Sequence, residues 1–281
     1  MKLKPQFLRN DIIFKNVFIT EERIKKLLEV SLNIKVDKVL IVNNNEMNIE
    51  NKKERKMFLD LIVYTEEGII NVEVNNNYKE EVFNRNLLYF CKLISSNLKQ
   101  KESYINIVKH VQLNLTWNLK KYLDYDIKDK KIIKFYITEN NTNNKIYNDI
   151  FEIVHINMDY FDDKWYNKEE KKEDPFMMLL AAQTYEEMDK ISKGDEIMVE
   201  ISNKVKYLNL DPDVAKELVI EDETEKWANQ RYNTGLKKGI EKGITQNKIA
   251  MAKKMLAKGI KIKDIIEITG LTEQELVKLK V

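Results

Sequence analysis

Two carboxylates stand 13 residues apart in the stretch Met57–Tyr78, MFLDLIVYTEEGIINVEVNNNY. Asp60 interrupts one apolar run and Glu73 a second. An acid inside an apolar run is costly unless something pairs with it. A divalent cation is one such partner, since hard cations take carboxylate and carbonyl oxygens and keep waters for chemistry. The same spacing also fits two acids on the wet face of a hairpin, and the residues by themselves leave both readings open.

The elements that must position these acids are legible around them. The runs Met57–Thr65 and Ile69–Asn75 are rich in β-branched residues and flank the turn Glu66-Glu67-Gly68, which predicts a hairpin with both carboxylates near one edge of a sheet. Before it, Ile24, Leu27, Leu28 and Leu32 recur at helical spacing behind the start Thr20-Glu21-Glu22, and a strand is expected near Val36–Val42. After it, Phe83, Leu87, Phe90, Leu93, Ile94 and Leu98 place a long helix over about Tyr78–Lys101. Three β-rich runs follow, at Tyr104–Trp117, Lys131–Thr138 and Phe151–Met158.

The stretch resembles the core of the PD-(D/E)XK nuclease superfamily, in which an Asp precedes, across a turn, a Glu-x-Lys or Glu-x-Gln on the next strand. Closer still is the transposase-associated branch that includes the recombination-promoting nucleases. Here the pattern reads Asp60, then Glu73-Val74-Asn75, with Asn75 where the superfamily carries Lys and this branch Gln. Asp11-Ile12-Ile13-Phe14-Lys15 is similar to the branch's Asp-x-x-Phe-Lys opening, and VFNRNLLYF, with Arg85 and Tyr89, is similar to its Phe-x-x-Arg-x-x-x-Tyr helix. The resemblance implies a restriction-endonuclease-like α/β core, a mixed sheet flanked by helices, followed by a helical C-terminal region.

It implies a site as well. Asp60, Glu73 and the Val74 carbonyl would hold Mg²⁺ or Mn²⁺, Asn75 would orient a water, and Asp11 would assist. Lys15 and Arg85 would meet substrate phosphate. Read without the resemblance, Asp11 caps a helix and Arg85 pairs with a carboxylate beside a core Tyr; the resemblance also makes Glu22 a rival to Asp11, because related folds can place such a carboxylate on the first helix. The expected activity is divalent-metal-dependent DNA endonuclease, in mobile-element biology, DNA recombination or phage defence. The alternative is a catalytically decayed DNA-binding or protein-assembly module on the same fold, and an RNA-cleaving toxin would share the chemistry. Acids that point apart, or that a Lys or Arg pairs, favour the decayed module.

Composition narrows the other classes. One cysteine, Cys91, excludes an internal disulfide, and two histidines, His110 and His155, leave little material for imidazole metal sites or triads. Each histidine reads as a satisfied core or edge residue. No run is long and apolar enough for a membrane span, and a cytoplasmic location is expected.

The net charge of +2 conceals segregation: residues 1–158 carry 26 basic and 21 acidic groups, 159–226 carry 10 and 20, and 227–281 carry 12 and 5. Only the flanking regions are suited to a polyanion, and the loop cluster Lys52, Lys53, Arg55 and Lys56 is either a phosphate contact or a solvated face. Three regions follow: a nuclease-like core over 1–158, an acidic helical segment over 159–230 that packs on the core or forms a homodimer surface, and a basic tail over 231–281. The tail places Gly235, Gly239 and Gly243 every fourth residue, which is expected to weaken its helix. It ends in two short helices around Thr269-Gly270-Leu271-Thr272, with Thr272 and Glu275 as a capping box, in the manner of a helix-turn-helix.

Overall fold

The structure, a computed structural model, describes residues 4–46, 58–76, 80–97, 103, 107–121, 123, 126–127, 130–140, 142–147, 150–166 and 174–279. Met57, Tyr78, Lys101, Tyr104 and the Lys52, Lys53, Arg55, Lys56 cluster lie outside them. The chain forms two compact units, residues 1–217 and 218–281; the sequence expectation set its break later, at 231.

In the first unit, α1 (Asp11–Val17) and α2 (Glu21–Leu32) lead into β1 (Leu40–Glu46), β2 (Phe58–Thr65) and β3 (Gly68–Asn75). Asn10, not Asp11, caps α1, accepting from the Ile13 N–H. The first strand starts four residues later than expected: Asn33 turns left-handed to end α2 at φ 55°, and buried Val36 ties down the connection, its N–H donating to Glu29. α3 (Glu80–Ser96) and β4 (His110–Thr116) follow, then β5 (Ile132–Phe135), β6 (Ile137–Thr138), β7 (Lys145–Ile146) and β8 (Phe151–Asn157). The run expected at 131–138 is split, because β5 joins the main sheet while β6 pairs with β7 in a separate ribbon.

The main sheet has the order β1-β2-β3-β4-β8-β5 and is mixed. β1, β2 and β3 form an antiparallel meander; β4 lies parallel to β3, and β8 parallel to β4. Gly68 closes the β2–β3 turn at φ 136°, a backbone few side chains adopt.

Register sorts β3, β4 and β8 into two faces. One carries apolar rows, Val72–Leu113–Val154 and Val74–Leu115–Ile156, all buried. The other carries Glu73–Asn114–His155 and Asn75–Thr116–Asn157, also buried. Alternation of this kind ordinarily marks a sheet with one wet face. Here α3 meets the polar face: Asn86 bonds to Asn75 and Asn114, and Phe90 packs edge-on against Phe151.

The helices α4 (Met158–Tyr166), α5 (Pro175–Ala181), α6 (Tyr185–Ile191) and α7 (Glu196–Leu208) belong to the same unit, with α5 and α7 contacting α2 and α7 contacting α1. Asp174 caps α5, Thr184 and Glu187 form a capping box on α6, and Asp195 caps α7.

The helix α8 (Pro212–Ala257) runs unbroken through Gly235, Gly239 and Gly243. The weak ordering expected there is not what the structure has, since helix once nucleated propagates through isolated poor formers. In the second unit, the end of α8 packs with α9 (Ile262–Thr269) and α10 (Glu273–Lys278) around Ala252, Ile265, Leu271 and Leu276. Gly270 ends α9 at φ 65°, and the Thr272–Glu275 capping box starts α10. No helix among the described residues is long and apolar enough to cross a membrane.

Candidate active site

The β2–β3 ladder ends at Leu61–Val72, and one residue beyond it the two acids meet. The Val74 N–H donates to Asp60 Oδ2 at 2.9 Å, and the Asp60 N–H reaches Glu73 Oε1 at 3.4 Å. Glu73 is 3% exposed and Asp60 9%. Burial raises the carboxyl of Asp60, opposed by Lys15 and the Val74 N–H. Burial and then the adjacent Asp60 raise that of Glu73, against the pull of Asn71 and Arg85. Burial is the larger cause for both acids.

Among the described residues, α1 supplies the ammonium in contact with these acids. Lys15 Nζ lies 2.9 Å from Asp60 Oδ1 and 3.2 Å from Asp11 Oδ2. Burial works against its charge, but Asp60 and Asp11 outweigh it and hold the lysine protonated. Phe14 and Val17, fully buried on α1, fix the helix that carries it. Asp11 meets Lys15, one turn away, and acts on Asp60 through space. The two acids thus lie together, and a lysine also pairs one of them.

The remaining candidates fall in different places. Asn75 does not face open space: its Nδ2 donates to Asn114 Oδ1 at 3.3 Å and its Oδ1 accepts from Asn86 Nδ2 at 3.2 Å. Arg85 is exposed, donates to Asn86 Oδ1 and lies over the Tyr89 ring, acting on Glu73 only through space. Glu22 is exposed in the first turn of α2. His110 Nδ1 meets the Val108 carbonyl at 2.8 Å, and His155, lowered to about 4 by burial, lies 3.0 Å from the Thr116 hydroxyl.

Sequence reasoning passed over Asn71, Asn86, Gln112 and Asn114, which are buried against the acids. Asn71 Nδ2 donates to Glu73 Oε1 at 3.1 Å and to Gln112 Oε1 at 2.8 Å. The signal available was parity: Asn71 shares a face with Glu73 and Asn75, and β4 reads polar at every second residue of HVQLNLT.

Two hard carboxylates that meet in a buried setting fit a divalent cation. Among the described residues no three side chains of His, Cys, Asp or Glu come together as a metal cluster. A cation here would therefore complete its shell from backbone and water oxygens.

Two comparisons with known families cover most of the chain. The family described as PD-(D/E)XK nuclease family transposase matches residues 8–234. The family described as Rpn/YhgA-like nuclease family, C-terminal HTH domain, matches residues 245–281, the segment folded as the end of α8, α9 and α10. No curated protein and no solved structure matches the chain. With an Asp on β2, a Glu on β3, a mixed sheet that holds them together and a family match over residues 8–234, the chain belongs to the PD-(D/E)XK nuclease family transposases.

Proposed function

We propose that the protein is a divalent-metal-dependent endonuclease acting on DNA. The observation that carries this reading is the meeting of Asp60, Glu73 and Lys15 in one buried cluster. The motif of the resemblance asks for an Asp, a Glu and a Lys, or in this branch a Gln, two residues after the Glu. Position 75 does not supply the lysine, but α1 does. The Lys15–Asp60 pair is the pairing that, on the sequence expectation, counts for the decayed module; what supports the nuclease reading is that the two acids still lie together with this lysine beside them.

Asp60, Glu73 and the Val74 carbonyl would hold Mg²⁺ or Mn²⁺. Such a cation, when bound, supplies Lewis acidity toward a phosphodiester. The chain's own groups do the rest. Lys15 is placed to offset the charge that builds on the phosphate as water adds to phosphorus and a P–O ester bond breaks. Burial of Glu73 and Asp60 excludes bulk water and strengthens each electrostatic contact. Asn75, engaged at both ends of its amide, braces β3 against α3 and β4. The C-terminal helices, matched to a helix-turn-helix family and carrying a basic surplus, provide a means of holding DNA.

A second reading rests on one observation: the Lys15–Asp60 pair already neutralises one acid, as in a nuclease fold kept for binding. Plasmid nicking by the full chain in Mn²⁺, Mg²⁺ and EDTA, beside Asp60→Ala and Glu73→Ala, separates the two. Cleavage that requires metal and disappears in both variants is the expected result. A folded protein that shifts DNA yet cuts no more than the variants establishes the binding module instead.

A further inference from the structure

The polar face beneath α3 carries Asn71, Asn75, Gln112, Asn114 and His155, all buried, and its hydrogen bonds run in one direction. Asn114 Nδ2 donates to the Val154 backbone carbonyl at 3.2 Å. A carbonyl can only accept, so this bond fixes which end of the Asn114 amide faces β3. Asn114 Oδ1 then accepts from Gln112 Nε2 at 3.1 Å. That turns Gln112 Oε1 toward Asn71, whose Nδ2 donates to it at 2.8 Å and to Glu73 Oε1 at 3.1 Å. Asn71 Oδ1 has no hydrogen-bond partner among the described residues. Leaving a buried acceptor unmade costs about 1–3 kcal/mol. Turning the amide over would set its oxygen against two acceptors, Glu73 Oε1 and Gln112 Oε1.

We propose that Gln112 and Asn114 are positioning residues for Glu73. Acting through Asn71, they decide that the carboxylate meets an N–H rather than an oxygen. They thereby hold the Glu73 carboxyl in one orientation, with Oε1 against an N–H, ready to meet a hard cation. The inference rests on the reading of Glu73 as a cation-holding group. Partners that orient a ligand are worth roughly 10–100-fold in metal affinity elsewhere. Gln112 touches neither Asp60 nor Glu73 in any hydrogen bond of the structure, so an effect on affinity reports the relay and not a lost ligand.

The test is Mn²⁺ binding by the full chain, read from the electron paramagnetic resonance of free Mn²⁺, with thermal melting in parallel. Gln112→Met keeps the length of the side chain and removes both ends of the amide; Gln112→Leu serves if the methionine variant does not fold. Asn157→Leu is the control: Asn157 is an equally buried amide on the same sheet face, but it donates to the carbonyls of Ile127 and Lys130 and joins no bond toward Glu73. The expected result is a Kd for Mn²⁺ about tenfold or more weaker in Gln112→Met and unchanged in Asn157→Leu, although both melt earlier. If both variants melt earlier and bind Mn²⁺ like the wild type, the amides are only packing and the proposal fails. A wild type that binds no Mn²⁺ overturns the cation reading and the relay with it, an outcome distinct from the first.

Discussion

Lys15 Nζ stands 2.9 Å from Asp60 Oδ1, bridging α1 to the second strand of the sheet. The contact joins residues 45 positions apart and puts a cation where residue 75 brings none. Lys15→Met should reduce metal-dependent nicking by about 10²- to 10³-fold, the usual loss for one electrostatic stabiliser. It should also cost up to about 3 kcal/mol of stability, since Asp60 is left buried without its partner. Nicking assays and urea melts check both; a variant that cuts within a few fold of wild type would remove Lys15 from the reaction.

Glu73 gives the metal-free protein a pH dependence. Burial and Asp60 raise it from 4.5 to about 8. Between those values the native state keeps a proton that the unfolded chain has released, so stability falls as pH rises. The histidines act in the opposite sense. Burial lowers His155 to about 4 and lowers His110 from 6.5, so below pH 6.5 the unfolded chain takes up protons that the native state refuses, and stability falls as pH falls. The trends oppose each other below 6.5; above it the raised Glu73, beside the raised Asp60, sets the slope. Urea midpoints of the metal-free protein should therefore drop between pH 6.5 and 8. Glu73→Gln should flatten the drop, and saturating Mn²⁺ should do the same. A drop that persists in Glu73→Gln would assign it to other groups.

The hairpin that brings the acids together depends on Gly68. Its φ is 136°, and a Cβ there would lie 2.2 Å from the Lys109 carbonyl oxygen, which accepts the Ile69 N–H at 2.9 Å. A backbone atom cannot swing aside as a side-chain tip can. Gly68→Ala should cost about 2–4 kcal/mol through strain and overpacking, and equilibrium denaturation should record it. A cost below about 0.5 kcal/mol, the range of an ordinary surface change, would show that the turn is free to reshape.

The C-terminal unit has its own small core. Leu276 and Ile265 are buried there, and Gly270 takes a left-handed φ of 65° at the end of α9. Leu276→Ala should cost about 2–5 kcal/mol within that core, and Gly270→Ala about 1–2 kcal/mol. Hydrogen exchange on the full chain should show faster exchange confined to residues 249–279; protection unchanged in Leu276→Ala would mean that this cluster does not hold the three helices.

The legible part of the site was the local part. Asp60, the turn at Gly68 and Glu73 lie on one hairpin, whose alternation and turn chemistry announce themselves. The Asp11–Lys15 helix announced itself by resemblance. Asn71, Gln112 and Asn114 did not, because their meaning depends on the parallel register of β3, β4 and β8, which nothing local sets. Polar residues at every second position of β4 read as a wet face until α3 is placed over them. The water-orienting role implied for Asn75 takes no account of Asn86 and Asn114, which engage its amide and come from other elements. The split of the run at 131–138 followed from which partner each half finds, β8 or β7, and composition does not encode that choice.

The span of each contact along the chain orders the site in time. Asp60 and Glu73 close a loop of 13 residues, whereas Asn71–Gln112 and Asn114–Val154 close loops of 41 and 40. Short loops cost less entropy to close and form sooner. The acids therefore meet while still hydrated, and the donors that fix them arrive with the later strands. Folding wires this site from its pair of acids outward, and pulsed hydrogen exchange should find β2 and β3 protected before β4 and β8.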